Sequence, residues 1–286
     1  MGNDSARFQY DWLALREPAD HAARSLALAE VLARWIGERE ELRILDLGAG
    51  SGSNLRWLAP RLPGYQSWTL VDHDAGLLEC AERTWGLADV EGRTKIRTCC
   101  ADLADLADEG LQGFDLVTAS ALFDLVSGGW IERLVRALAT SGACGLFALT
   151  VDGRRWFEDA DGRLIDDEAD RGMGELFNHH QLRDKGLGES LGPQAAAVLP
   201  AALDSAGMRV YVERSDWRLA AGDSATPGLA AALLDDWARA AAEQAGREQD
   251  AVEDWRKCRR AGLETGALGL GVGHVDVLAL PGRRHD

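Results

Sequence analysis

Apolar residues recur at three- and four-residue spacings from Ala19 to Ile36, at Ala22, Leu26, Ala29, Ala33 and Ile36. This pattern predicts an amphipathic helix with Pro18 in its first turn. A short apolar run, Leu42 to Leu47, ends in the glycine-rich stretch Gly48-Ala49-Gly50-Ser51-Gly52, and Leu55, Leu58 and Leu62 then resume helical spacing. The order strand, glycine turn, helix is followed by a strand at Ser67–Val71, a helix at about Ala75–Trp85 and strands at Lys95–Cys99 and Phe114–Ala119. A helix at about Trp130–Leu138 and the apolar run Cys144–Val151 complete the series. Short apolar strands separated by helical connections predict a mainly parallel sheet with helices on both faces.

After Asp152 the rhythm stops. Gly153–Leu191 is rich in Gly, Asp and Arg, has little apolar periodicity and ends before Gly192-Pro193, which predicts an inserted lid or short helical hairpin. Regular patterning returns with a helix at Gln194–Ser205, a strand at Arg209–Trp217, an Ala-rich helical segment at Pro227–Gly262 and a closing strand at His274–Leu280. The organisation expected is one domain over 1–286. Its parts are an N-terminal arm and helix (1–40), a ligand-binding core (42–151), a lid (152–192) and a C-terminal part of the sheet with a helical insertion (193–286).

Composition narrows the function classes. The 286 residues carry 31 Lys and Arg against 47 Asp and Glu, a formal net charge of −16. Such a surface repels nucleic-acid phosphate and anionic membrane, so no nucleic-acid or membrane partner is expected. Five cysteines, Cys80, Cys99, Cys100, Cys144 and Cys258, form no C-x-x-C pair, and the chain is too large to need disulfide staples. They read as reduced thiols of a cytoplasmic protein, and no metal-ligand spacing is visible. The opening residues lack a signal-peptide core, and no apolar run reaches membrane-spanning length.

Gly48, Gly50 and Gly52 lie directly after a predicted strand and before a helix, where bare backbone can approach a nucleotide-like ligand. A dinucleotide fingerprint would place glycine at position 53, where Ser53 stands, and Asp46 before the glycines is also foreign to it. Asp72 ends the next strand, in position either to accept from ribose hydroxyls or to cap the following helix. Asp102 follows the third strand and is likewise placed for a ligand contact or a helix cap.

The segment Ile44-Leu45-Asp46-Leu47-Gly48-Ala49-Gly50-Ser51-Gly52 resembles the first motif of the class I S-adenosylmethionine-dependent methyltransferases, and the later motifs fall in the matching order. The resemblance covers about 42–151 by motif and extends to the end by element order. It is nearest to small-molecule types, including uncharacterised bacterial members with Phe177-Asn178-His179-His180-Gln181. It implies a Rossmann-like doubly wound sheet of seven strands with an antiparallel last strand, and S-adenosyl-L-methionine as cofactor. The cofactor residues it implies are Asp46, Gly48, Ala49, Gly50, Gly52, Asn54, Asp72 for ribose, His73, Asp102 for the adenine amino group, Leu103 and Ser120.

Methyl transfer from a sulfonium is an in-line displacement in which alignment and water exclusion dominate. The acceptor is expected over the strand ends, between the arm, the loop after strand four and the lid. Tyr10, Trp12 and Arg16 in the arm are substrate-binding candidates, or packing anchors. Asp124, between apolar neighbours, is a candidate catalytic carboxylate or a helix cap. Asn178, Arg183 and Lys185 in the lid are further substrate candidates. His179 or His180 offers a base for a hydroxyl or amine acceptor, whereas a carboxylate acceptor needs none. The expected function is methyl transfer to an oxygen or nitrogen of a small molecule by a monomer or homodimer. The alternatives are a non-catalytic protein that binds S-adenosylmethionine for regulation and, less well matched, a nicotinamide-dependent oxidoreductase.

Overall fold

The computed structural model describes residues 2–88, 92–105, 111–165, 167–182, 189–222, 227–245 and 249–282. Its centre is β1 (Glu41–Leu47), flanked by β2 (Tyr65–Asp72), β3 (Thr94–Cys100) and β4 (Leu116–Ser120), all parallel. β5 (Cys144–Asp159) pairs parallel with β4 and antiparallel with β9 (Leu268–Leu280), which also pairs antiparallel with β7 (Arg209–Arg214). Along the order β3-β2-β1-β4-β5-β9-β7 lie seven strands, the number the resemblance implies. Two short strands add to it, β6 (Leu164–Ile165) on β5 and β8 (Trp217–Leu219) on β9.

Alternation along β1 feeds two layers. Leu42 and Ile44 pack under α2 (Leu26–Ile36), α3 (Ser53–Leu58) and α4 (Ala75–Ala88), whereas Leu45 and Leu47 pack under α5 (Gly128–Ser141) and α7 (Ala195–Ser205). Burial on both faces is why this strand reads as a continuous apolar run. A third cluster, built on Phe157, Trp217, Trp237 and Trp255, lies beneath α6 (Glu168–Gln181), α8 (Pro227–Ala245) and α9 (Gln249–Glu264).

Several boundaries differ from the sequence pattern. The single helix expected at 19–36 is two, α1 (Gly2–Ala23), which contains Pro18 well inside it, and α2. The chain turns at Ser25, whose hydroxyl caps Leu28 N–H at 3.2 Å and whose own N–H donates to Asp276 Oδ2 at 2.8 Å. Apolar spacing passes unbroken through that turn, so periodicity alone missed it. The strand expected at 209–217 is β7 and β8, and the segment 227–262 is α8 and α9.

The largest departure is in β5, expected to end at Val151. It continues to Asp159, with register shifts between Phe147 and Thr150 and between Val151 and Arg155. Those bulges carry β5 and β9 together beyond the ends of the parallel strands, and the charged residues Asp152, Arg154 and Arg155 hide the continuation from an apolar pattern. Within the first bulge Leu149 has φ of +56°, held by its N–H donating to Asp276 Oδ1 at 2.8 Å. The expected lid therefore begins as sheet and continues as β6 and α6.

Candidate functional site

The strand order reverses between β1 and β4, with β2 and β3 to one side and β5 to the other, which opens a crevice at their C-terminal ends. A cavity of about 430 Å³ lies there. Gly48, Ala49 and Gly50 form one wall, Asp72, His73, Asp102 and Leu103 a second, and Ser120, Ala121, Leu122 and Leu125 a third, with Asn54 at the base and Trp12, Leu13, Arg16 and Asp20 of α1 across the top.

The glycine turn is built for this. Gly48, Gly50 and Gly52 have φ of +65°, +52° and +82°, a region side chains with a Cβ avoid. A Cβ on Gly50 would sit 3.4 Å from the Leu13 side chain, and one on Gly52 3.0 Å from Ala81. Gly50 N–H donates to Asp72 Oδ2 at 2.8 Å, and Asp74 N–H donates to Asp72 Oδ1 at 3.0 Å. Asp72 thus ties the glycine turn to β2 while still lining the cavity, and the cap of α4 is Asp74, whose Oδ1 accepts from Gly76 and Leu77 N–H at 2.8 and 3.1 Å; His73 Nδ1 lies 3.2 Å from Asp72 Oδ1. Asp102 accepts from Ala104 N–H at 2.8 Å, and the Leu103 carbonyl accepts from Trp130 Nε1 at 2.9 Å, which fixes this wall.

Asp46 is fully buried and lies behind Asn54 rather than in the cavity wall. Asn54 Nδ2 donates to Asp46 Oδ1 at 2.6 Å and to Thr118 Oγ1 at 3.1 Å, and Thr118 in turn donates to the Leu146 carbonyl at 2.7 Å. Asp46 Oδ2 and Asn54 Oδ1 are buried without a partner. Burial pushes the Asp46 carboxyl up to about 7, against the opposing effects of the Asn54 hydrogen bond and the Arg24 charge. Two orphaned acceptors behind a polar cavity wall suit a cationic donor.

α1 closes the site. Arg16 Nε and Nη2 hold Asp20 at 3.0 and 3.1 Å, Asp20 also accepts from Trp217 Nε1 at 3.1 Å, and Arg56 grips Glu17 through two hydrogen bonds of 2.7 and 2.6 Å. Of the other acceptor candidates, Tyr10 is 42% exposed on α1 and outside the cavity lining. Asp124 is buried, one residue removed from the lining residue Leu125. Asn178 holds Arg155, and His180 Nε2 lies 3.1 Å from Glu243 Oε2. His179 and His180 are on the last turn of α6 and do not line the cavity, nor does Gly52. Arg183 and Lys185 lie outside the described residues.

Sequence reasoning missed Leu13, Asp20, Ser51, Ser53, Leu77, Ala121, Leu122 and Leu125 in the lining. Asp20 had a signal, since it stands four residues after Arg16 on one helix face. Ala121 had none; its φ of +53° appears only in the structure. Among the described residues no group of three metal-ligating side chains occurs, and no helix is long and apolar enough to cross a membrane.

Residues 44–142, from β1 to the end of α5, match the family model described as a methyltransferase domain. No curated protein matches the chain. Among solved structures the chain is similar to the YcgJ protein of Bacillus subtilis, with 15% identity over 90% of this chain and 98% of that one and a TM-score of 0.48. It is also similar to a cyclopropane synthase from Mycobacterium tuberculosis, with 12% identity, 89% and 83% coverage and a TM-score of 0.43. A phosphoethanolamine N-methyltransferase from Haemonchus contortus shows 16% identity over 89% of this chain and 52% of that one, with a TM-score of 0.40.

Proposed function

We propose that this chain, whose residues 44–142 match a methyltransferase-domain model, transfers a methyl group from S-adenosyl-L-methionine to a small-molecule acceptor by in-line displacement. One observation carries the reading. The cavity at the strand reversal joins a glycine turn of positive φ, a carboxylate at the end of β2 and the unpartnered Asn54 Oδ1 with Asp46 behind it, a set that suits a ligand with an amino-acid end, a ribose and a base.

The cofactor supplies a methyl group made electrophilic by a sulfonium. This chain's residues bind and align it. Asn54, oriented by Asp46 and Thr118, offers Oδ1 to the ammonium group, and the Asp46 carboxylate compensates the charge from behind. Asp72 has lone pairs left for the ribose hydroxyls after accepting from Gly50 and Asp74. Asp102 faces the adenine end. Gly48, Ala49 and Gly50 let the backbone approach, and Leu103 and Leu122 exclude water. Trp12, Leu13 and Arg16 cover the site from α1 and fix the line of approach for the acceptor, which enters beside Ser120 and Ala121.

Calorimetric titration with S-adenosylmethionine, S-adenosylhomocysteine and NAD tests this directly. Binding of the first two and not the third is expected. Binding of NAD alone, or of none, overturns it. An oxygen or nitrogen acceptor suits the polar residues around the mouth, Arg16 and Asp20 among them.

A further inference from the structure

A second cleft, of about 370 Å³, shares no lining residue with the glycine-turn cavity and lies toward the opposite, N-terminal ends of β1, β2 and β3. Leu45, which packs under α5 and α7, pairs with Thr69 on its floor, so the cleft is on that side of the sheet. There the side chains of β3 are Lys95, Arg97 and Cys99, all exposed. Three cations line the cleft, Arg43, Lys95 and Arg97, together with the neutral polar Ser67, Thr69 and Gln112.

Strand register brings these groups together. Arg43 pairs with Ser67 and Ser67 with Lys95, so two cations stand in one row on either side of a hydroxyl. Two strand spacings put their backbones about 9.6 Å apart, a gap that two long side chains leaning inward can close. Arg97 is on the same face as Lys95, about 6.6 Å further along β3, and its Nη2 donates to the buried Thr69 Oγ1 at 3.2 Å. No carboxylate lines the cleft among the described residues. Two stand beside it. Asp115 accepts from Arg43 N–H at 2.9 Å and lies 3.4 Å from Arg39 Nη1 and 3.8 Å from Arg43 Nε, and Glu41 accepts from Ser67 Oγ at 3.2 Å. Lys95 and Arg97 make no ion pair among the described residues. Elsewhere the chain, with 47 acidic against 31 basic residues, gives Arg16, Arg56, Arg154, Arg256 and Arg259 a carboxylate each. Like charges set side by side on a sheet destabilise it unless they share a counterion.

We propose that this cleft binds the phosphate group of a small phosphomonoester, with Lys95 and Arg97 as its charged partners and Arg43 closing the third side. A dianion at this point neutralises the row of cations, and guanidinium and ammonium donors match its oxygens with charge-assisted hydrogen bonds. The ester is chosen over the free ion because the volume falls in the range of small-molecule pockets, about 300 to 1,000 Å³, and leaves room beside the phosphate for the rest of a ligand. The proposal does not depend on the methyl-transfer reading, since the two sites have no residue in common.

The test is calorimetric titration of the full chain, at fixed ionic strength, with glycerol 3-phosphate, glucose 6-phosphate and phenyl phosphate. Inorganic phosphate and the matching glycerol, glucose and phenol are titrated in parallel. Saturable binding of at least one ester, absent for its dephosphorylated counterpart and tighter than that of inorganic phosphate, is expected. The exposed double variant Lys95→Gln/Arg97→Gln should weaken ester binding by about 10- to 100-fold, with its fold checked by circular dichroism. Arg34→Gln, which removes an exposed charge on α2, should leave ester affinity unchanged and so separates a local site from the overall field. No ester binding, undiminished binding by the double variant, or an equal loss in Arg34→Gln overturns the proposal. Inorganic phosphate binding as tightly as the best ester overturns the choice of an ester as ligand.

Discussion

Cofactor binding should release a proton from Asp46. The side chain is fully buried, its carboxyl is pushed up to about 7 by burial, and its Oδ2 lacks a partner. At pH 6.5 a group of that pKa is about three-quarters protonated. An ammonium group placed at Asn54 Oδ1, one residue's width away, favours the carboxylate, so full ionisation on binding releases about 0.8 proton at pH 6.5 and about 0.1 at pH 8. The amino group of the cofactor has an ordinary pKa of about 7.7 to 8.0, so it is almost fully protonated at pH 6.5 and contributes little there. The assay is calorimetry at pH 6.5 in buffers of different ionisation enthalpy, whose slope gives the protons exchanged. Asp46→Asn keeps an acceptor for the Asn54 amide and should bring the release to near zero while weakening affinity. Folding gives an independent check. A carboxyl raised in the folded state binds its proton more tightly than the unfolded chain does, so its contribution to stability is largest at acid pH and is lost as pH rises from about 4 through 7. The integrated loss is on the order of 4 kcal/mol, and Asp46→Asn should abolish that dependence in the cofactor-free protein. Proton release near zero in the wild type at pH 6.5, or equal release in Asp46→Asn, would refute the reasoning.

Asp72→Ala should weaken S-adenosylmethionine binding by about 1 to 3 kcal/mol, since it removes the proposed ribose acceptor and the anchor of Gly50 N–H; calorimetry on the folded variant checks it. Gly50→Val forces a β-branched residue to φ of +52° beside Leu13 and should abolish binding, and circular dichroism should show the fold retained if the turn serves the ligand alone. Asp276→Ala strips the acceptor from Ser25 N–H and Leu149 N–H and leaves buried Arg24 less compensated, so urea unfolding should show a loss of about 3 kcal/mol; a loss below about 1 kcal/mol would contradict that account.

How much of this could be read from the chain depended on what kept each residue in place. The glycine-turn half was legible because buried parallel strands must be apolar runs and because a backbone at positive φ selects glycine, so Leu42–Leu47 and Gly48, Gly50 and Gly52 carry their own signature. The polar residues at the strand ends were legible by position, and Gly48, Asn54, Asp72, Asp102 and Ser120 all line one cavity. Asp46, expected among the cofactor residues, is turned by the side-chain alternation of β1 toward α3, behind Asn54, a placement that strand position alone does not give. Beyond Val151 the pattern failed, because β5 continues through Asp152 and Arg155 by pairing with β9, a contact over more than a hundred residues of sequence. Arg155 therefore looked like part of a solvated loop. His179 and His180 stood out as a pair in a chain of six histidines, yet helical geometry puts them at the end of α6, where His180 meets Glu243.

Charge sets the salt dependence of cofactor binding. The chain carries −16, and among the described residues Asp20, Asp72 and Asp102 line the cavity against one arginine, Arg16, which Asp20 neutralises. S-adenosylmethionine, with sulfonium and ammonium against one carboxylate, is drawn to this field. Raising ionic strength from 0.01 to 0.1 M shortens the screening length from about 30 to about 10 Å and weakens this long-range attraction. Affinity for S-adenosylmethionine should therefore fall with salt, and affinity for S-adenosylhomocysteine, which is net neutral, should fall less. Calorimetry at the two ionic strengths checks this, and an equal response of the two ligands would refute it.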